Sequence, residues 1–418
     1  MSIRITTLPN GLTVATDQME SVETASLGVW VNAGTRHETP DVNGVSHLLE
    51  HMAFKGTERR SARAIAEEMD NVGGHLNAYT SRENTAYYAK VLKEDVPLAV
   101  DLIADILQHS TLDSEELARE QQVVVQEIGQ TVDTPDDIIF DHFQAIAYPG
   151  QALGRPVLGT VDLVKGMTRD VLAGYMGANY SGQRMILAGS GRIDHDALVE
   201  LAAAHFTELP REGIAVEEPA LYHGGDFREE RELEQVHVML GFNGIGYQDP
   251  DYYVASVLST LLGGGASSRL FQEVREKRGL VYTIYSYASS YQDGGLFGVY
   301  AGTGEDEVEE LIPLVCDEIM KVTAAVTPEE VHRARAQLKA SVLMSLESTS
   351  TRCEQLARQL FIYGHPVTTD ELVAHIEQVD EAAVIRVAQR LFTSPPTFAA
   401  LGPLDKVERF DSIVGRLG

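Results

Sequence analysis

The predicted elements of this chain run through one order and then through it again, offset by roughly 210 residues. In the first half a strand pattern at 25–32 leads to a helical one at 45–54, a hairpin at 75–79 and 85–91, and a helix at 96–108. In the second half the strand falls at 235–242, the helix at 252–262, the hairpin at 281–288 and 295–300, and the last helix at 306–322. A repeat on this scale is a duplicated domain, because each copy is long enough to close its own core. Between the copies, Leu209 to Gly225 gathers proline, glycine and acidic residues, a linker composition. The expected organisation is a first domain at 1–210, a linker at 211–225 and a homologous second domain at 226–418. Long helices among meandering strands make the class α+β. Each domain is expected to be a mostly antiparallel sheet with helices packed on one face, the two enclosing a cavity.

Composition narrows what such a pair can do. With 44% hydrophobic and 23% charged residues, the 418-residue chain belongs among folded globular proteins. A formal net charge of −29 argues against nucleic acid, whose phosphates need a basic surface. The acidity serves solubility, or draws basic ligands where it lines a cavity. No apolar run approaches the ~20 residues that span a bilayer, so no membrane partner is expected. The first residues, Met1-Ser2-Ile3-Arg4-Ile5-Thr6-Thr7-Leu8, alternate like a strand and show no leader of basic and then apolar residues. The expected compartment is the cytoplasm, or the mitochondrial matrix if a targeting segment has been removed. Cys316 and Cys353 lack metal-ligand spacing and sit in helical patterns, which reads as buried free thiols in a reducing compartment.

One helix of the first half carries chemistry. Val45, Leu48, Leu49, Met52 and Ala53 form one apolar stripe at helical spacing, while His47, Glu50, His51 and Phe54 fall on the opposite face. The two histidines are a turn apart and can share one cation. Zinc takes imidazole and carboxylate ligands, and a carboxylate beside it can take a proton from water. The order His-x-x-Glu-His is an inverted zinc-peptidase signature, with Glu50 as the general base. A chance pattern of satisfied histidines would leave the polar face unexplained. A third ligand is expected from another element. The helix opened by Asp113-Ser114-Glu115-Glu116 carries Glu120 and Glu127 on one face, ~10 Å apart along the axis. One of them is a ligand and the other orients a histidine, and spacing does not choose between them. The second half has Ala255, Leu258 and Ser259 near the matching positions, so only one half can bind metal this way. The glycine-rich run Gly263-Gly-Gly-Ala-Ser-Ser-Arg269 follows a helix and lacks a Gly-Lys-Ser/Thr ending, which excludes a phosphate cradle.

The run His47-Leu-Leu-Glu-His-Met-Ala-Phe-Lys-Gly-Thr57, followed by His75-Leu-Asn-Ala-Tyr-Thr-Ser-Arg82, resembles the pitrilysin/insulinase family of zinc peptidases, above all its processing-peptidase branch and small bacterial members. The resemblance covers nearly the whole chain and implies a zinc endopeptidase. It implies one Zn2+ per chain on His47, His51 and Glu127, with Glu50 as general base and Glu120 supporting a histidine. It further implies a peptide substrate bound as an added strand along Asn77, Ala78 and Tyr79, beside Phe54. Arg275 and Tyr282, in Arg275-Glu-Lys-Arg-Gly-Leu-Val-Tyr282, match the family's paired donors to the substrate carbonyl. Read alone, they are a solvated helix charge and a hairpin-packing ring. Asp137 and Asp141 match acids that recognise a substrate arginine, though Asp137 stands where a glutamate is usual. Zinc motif and Arg/Tyr pair in one chain imply a homodimer, with a heterodimer of homologues as the alternative. A non-catalytic assembly subunit, which typically has a broken zinc motif, is the reading from a different class.

Overall fold

The computed structural model describes residues 3–213 and 218–418, which fall into two compact units. The first unit comprises Met1–Gln130, Arg155–Glu218 and Met344–Pro366, and the second Thr131–Gly154, Pro219–Leu343 and Val367–Gly418. Each half of the sequence therefore lends one segment to the unit built mainly from the other. The residues expected as a linker fall partly at 214–217, outside the described residues.

The first unit holds β1 (Ile3–Thr7), β2 (Thr13–Gln18), β3 (Thr24–Val31), β4 (His75–Thr80), β5 (Thr85–Leu92) and β6 (Met185–Gly191) in the order β1-β2-β6-β3-β5-β4. All pairs are antiparallel except β2 with β6. The second unit holds β7 (Gly225–Glu230), β8 (Val236–Asn243), β9 (Val281–Ser290), β10 (Gly295–Thr303) and β11 (Thr397–Gly402) in the order β7-β11-β8-β10-β9. There too a single pair, β7 with β11, is parallel. The predicted elements of both halves fall within about three residues of those observed.

β3 is buried along nearly its whole length, and a strand of that kind needs cover on both faces. Leu27, Val29 and Val31 pack with Leu48, Leu49 and Met52 of the helix Val45–Ala53 and with the helix Val96–Gln108. On the other face Trp30, Ala86 and Ile186 meet Cys353, Leu356 and Ala357 of the helix Thr349–Tyr363. The second unit repeats the plan. Val238, Leu240 and Phe242 pack with the helix Tyr252–Gly263, while Met239 on the reverse face meets Ile139, Phe143 and Ala147 of the helix Pro135–Ala147. The exchanged segments thus supply a second helical layer to each sheet, beyond the one face expected from sequence.

Cys316 and Cys353 are buried and unpaired, and burial pushes the Cys316 thiol up to about 12. Among the described residues no helix is long and apolar enough to cross a membrane.

Candidate metal centre

The helix Val45–Ala53 starts on Gly44, whose φ of +97° and lack of a side chain leave the first turn without a cap of its own. A Cβ there would come within 2.8 Å of Gly159 Cα, so glycine is required for the close crossing of these two backbone segments. The missing cap comes from Glu38, six residues upstream and buried. Its carboxylate accepts from Gly44 N–H at 2.8 Å, Ser46 N–H at 2.8 Å, Ser46 Oγ at 2.5 Å and Asn43 Nδ2 at 2.9 Å. Burial raises the Glu38 pKa, against those four donors, which favour the anion. The cap fixes where the helix begins, and thereby where its histidines point.

His47, His51 and Glu127 converge, with one ligand atom from each within 4.8 Å of the others. Glu127 Oε2 lies 3.6 Å from His47 Nε2 and 3.5 Å from His51 Nε2. Tetrahedral zinc with bonds of ~2.0–2.2 Å separates its ligand atoms by about 3.3–3.5 Å, so these spacings fit it with little adjustment. The imidazoles stand edge to face, their centroids 4.7 Å apart. Burial, with the neighbouring His51, pulls the His47 pKa down to about 4 despite Glu127, which keeps the ring neutral as a ligand must be. Burial also acts downward on His51, but hydrogen bonds with Glu127 and Glu120 outweigh it and the net shift is upward. The two rings differ because His51 faces two carboxylates and His47 one. Glu127 in turn is lowered, first by its hydrogen bond from His51.

Two further carboxylates complete the centre. His51 Nδ1–H donates to Glu120 Oε2 at 3.0 Å, and Lys55 Nζ lies 2.7 Å from Glu120 Oε1. Glu120 therefore sets the ring's tautomer from behind, leaving Nε2 for a metal. Glu50 Oε2 accepts from Thr80 Oγ1 at 2.6 Å, and burial raises its pKa from the ordinary carboxylate value. Thr80 closes β4, an edge strand that among the described residues pairs with β5 alone, and Asn77, Ala78 and Tyr79 also lie on it. Phe54, the C-cap of the motif helix, packs partly buried against the core. On the second unit Arg275 stacks over Phe271 and Tyr282, 4.6 and 5.4 Å from their ring centroids, and Tyr282 is 80% exposed. Asp137 is exposed on the first turn of the helix Pro135–Ala147, one turn before Asp141. Glu38, Lys55 and Thr80 belong to the centre without being singled out by any sequence pattern. Of the three, only Thr80 carries a usable signal, since it shares with Ala78 the face of β4 turned toward the motif helix.

A duplicated α+β fold carrying one His-His-Glu centre is the build of a metallopeptidase. Residues 13–161 match Insulinase (Peptidase family M16), and residues 166–338 match the Peptidase M16 inactive domain. An uncharacterized zinc protease of Rickettsia bellii is 38% identical over 96% of this chain and 98% of its own length. The mitochondrial-processing peptidase subunit beta of Lentinula edodes is 38% identical over 98% of this chain and 92% of its own. In fold, a protease from Helicobacter pylori superposes with a TM-score of 0.91 at 23% identity, covering 96% of this chain and 99% of that one. A chain of complex III2 from Candida albicans superposes with a TM-score of 0.87 at 21% identity, covering each chain fully. The chain belongs to the M16 family, the pitrilysin/insulinase family of zinc metallopeptidases, and its metal is zinc.

Proposed function

We propose that the chain is an endopeptidase that cuts peptides or unfolded segments laid as an added strand along β4. The observation that supports this most is the bond from Thr80 to Glu50, which ties the free edge of the sheet to the acid beside the metal ligands. Zinc, when bound, supplies a Lewis acid that acidifies water and polarises a carbonyl. The chain's own residues do the rest. His47, His51 and Glu127 hold the ion, and Glu120, fixed by Lys55, keeps His51 in the donating orientation. Glu50 takes a proton from the attacking water and returns it to the leaving amine, a role suited to a carboxylate of raised pKa. Backbone bonds along Asn77, Ala78 and Tyr79 bind any sequence, and side-chain contacts, Phe54 among them, select among sequences. Arg275 and Tyr282 serve as donors to the substrate carbonyl. Asp137 and Asp141 read a basic substrate residue. A homodimer in the cytoplasm is part of this reading.

Glu50→Gln tests it directly. The variant should keep zinc in stoichiometric amount and lose peptide hydrolysis, because an amide cannot take up the proton. Loss of zinc along with activity would make Glu50 a ligand and sink the assignment. A second reading, activity only with a partner subunit, is favoured by the 38% identity to a processing-peptidase β subunit. Hydrolysis by the purified chain alone decides between the two. The intact donor set argues against a purely structural subunit, which should purify without stoichiometric zinc.

A further inference from the structure

On the face of the first sheet turned away from the motif helix, strands β3, β4 and β5 and the helix Thr349–Tyr363 enclose a cavity of about 380 Å³. Buried Trp30 and Cys353 form its floor, and half-buried Tyr79 and Tyr88 with exposed Glu354 form its rim. The rings of Tyr79 and Tyr88 are 6.1 Å apart and tilted by 56°. A short relay orders the polar groups. Trp30 Nε1–H donates to Tyr79 Oη at 3.2 Å, and Tyr79 Oη–H donates to Glu354 Oε1 at 3.1 Å. Glu354 makes no ion pair among the described residues, so its second oxygen is available. The nearby cation Arg358 is exposed and does not pair with it among the described residues.

We propose that this cavity is a subsite for a lysine or arginine side chain of the bound peptide. The proposal rests on the strand-addition reading above and is distinct in place from Asp137 and Asp141. Its geometric basis is the pleat of β4. The hydroxyl of Thr80 on Glu50 puts Ala78 and Thr80 on the metal face, which leaves Asn77 and Tyr79 on the cavity face. A strand added to that edge continues the pleat, so every second side chain of the peptide projects toward the cavity. Three aromatic rings and a carboxylate without an ion pair among the described residues suit a cation on an apolar stem. The methylenes lie along the rings, and the charge meets the ring faces and the free oxygen of Glu354. The protein's charge of −29 favours the approach of such a ligand.

Trp30 is the chain's single tryptophan, so its emission reports occupancy of this cavity. Zinc-loaded Glu50→Gln protein is titrated with peptides that lack tryptophan and tyrosine and carry lysine or norleucine at successive positions. Hydrogen exchange of the β4 amides is followed in parallel as an independent reading of strand addition. Lysine at the cavity-facing position should bind about tenfold tighter than norleucine and alter Trp30 emission. Moving it by one residue should remove both effects, and Glu354→Gln should lower the affinity of the lysine peptide to that of the norleucine one. Equal protection of β4 by both peptides with no change in emission overturns the subsite and leaves strand addition standing. So does a lysine preference that survives Glu354→Gln, or one that ignores position. If no peptide protects β4, strand addition itself falls, and the subsite with it.

Discussion

In the first unit the helix packed beside β4 is nine residues long and turns two imidazoles and a carboxylate toward Glu127. Its counterpart in the second unit, beside β9, runs for twelve residues, and Ala255, Leu258 and Ser259 near the matching positions are buried. There the helix lies directly on the strand. Ser286 Oγ on β9 donates to the Ser259 carbonyl at 2.7 Å, and a Cβ on Gly263 would stand 2.3 Å from Ser286 N. The downstream helices differ likewise. Counted from the capping residues Asp113 and Thr327, Ala334 and Ser341 stand where Glu120 and Glu127 do. Close by, Arg269 is held by Glu330 at 2.6 Å, and the remaining void is about 10 Å³, room for one water at most. One architecture thus supports a polar cluster in one copy and a closed packing in the other. In that cluster Glu50 is held by Thr80, His51 by Glu120 and Glu120 by Lys55. Chemistry here is a property of the site and not of the fold.

Substitutions that break the cluster test that contrast most severely. His51→Ala leaves two ligands, and both zinc content and peptidase activity should fall together, activity by at least ~1000-fold. Full activity in the metal-free variant would remove the distinction between the units. Tyr282→Phe tests the proposal that the second unit supplies a donor to the substrate carbonyl. At 80% exposed the ring is not explained by hairpin packing, and loss of its hydroxyl should lower kcat with zinc and fold intact. The guide is ~100–1000-fold for one oxyanion donor, an upper bound because Arg275 remains. An unchanged rate would restrict Tyr282 to its contact with Arg275. Glu120→Gln should act more mildly, weakening zinc binding by ~10–100-fold as measured by chelator competition, whereas Glu127→Gln should empty the site. The reverse ranking would exchange the two roles.

Part of the contrast between the units is legible in the sequence. Helical spacing puts His47, Glu50 and His51 on one face, and the lack of such residues near 255–259 marks the second copy as metal-free. Which of Glu120 and Glu127 faces the metal is not legible, since residues seven apart share a face and only the crossing of two helices separates them. The helices Pro135–Ala147 and Thr349–Tyr363 show an apolar stripe, but a stripe does not say which sheet it will cover, so their exchange between units is hidden. β6 and β11 are hidden for another reason. Met-Ile-Leu-Ala-Gly-Ser-Gly and Thr-Phe-Ala-Ala-Leu-Gly are buried on both faces, without the alternation that reveals a strand. Glu38 caps a helix from six residues away, beyond the reach of local capping patterns.

The smallest expected effect concerns the closed packing itself. Gly263→Ala places a methyl against the backbone of β9, which has no flexible end to yield, so helix and strand must separate. Overpacking of this kind costs about 1–3 kcal/mol, a fall in Tm of about 2 to 12 °C for a unit of this size. Zinc content should stay as in the parent, because the proposed ligands His47, His51 and Glu127 belong to the other unit. Gly174→Ala is the matched control: it lies inside the helix Arg169–Asn179 with no atom within 4 Å of a new Cβ. Higher helix propensity should leave its Tm unchanged or raise it slightly. Calorimetry on both variants separates close packing from any general cost of replacing a glycine. If Gly263→Ala melts with the control, helix and strand in the second unit are not in the tight contact that distinguishes it from the first. The lack of a metal-binding cluster there among the described residues would then rest on the residue types at 255–259 and not on close packing.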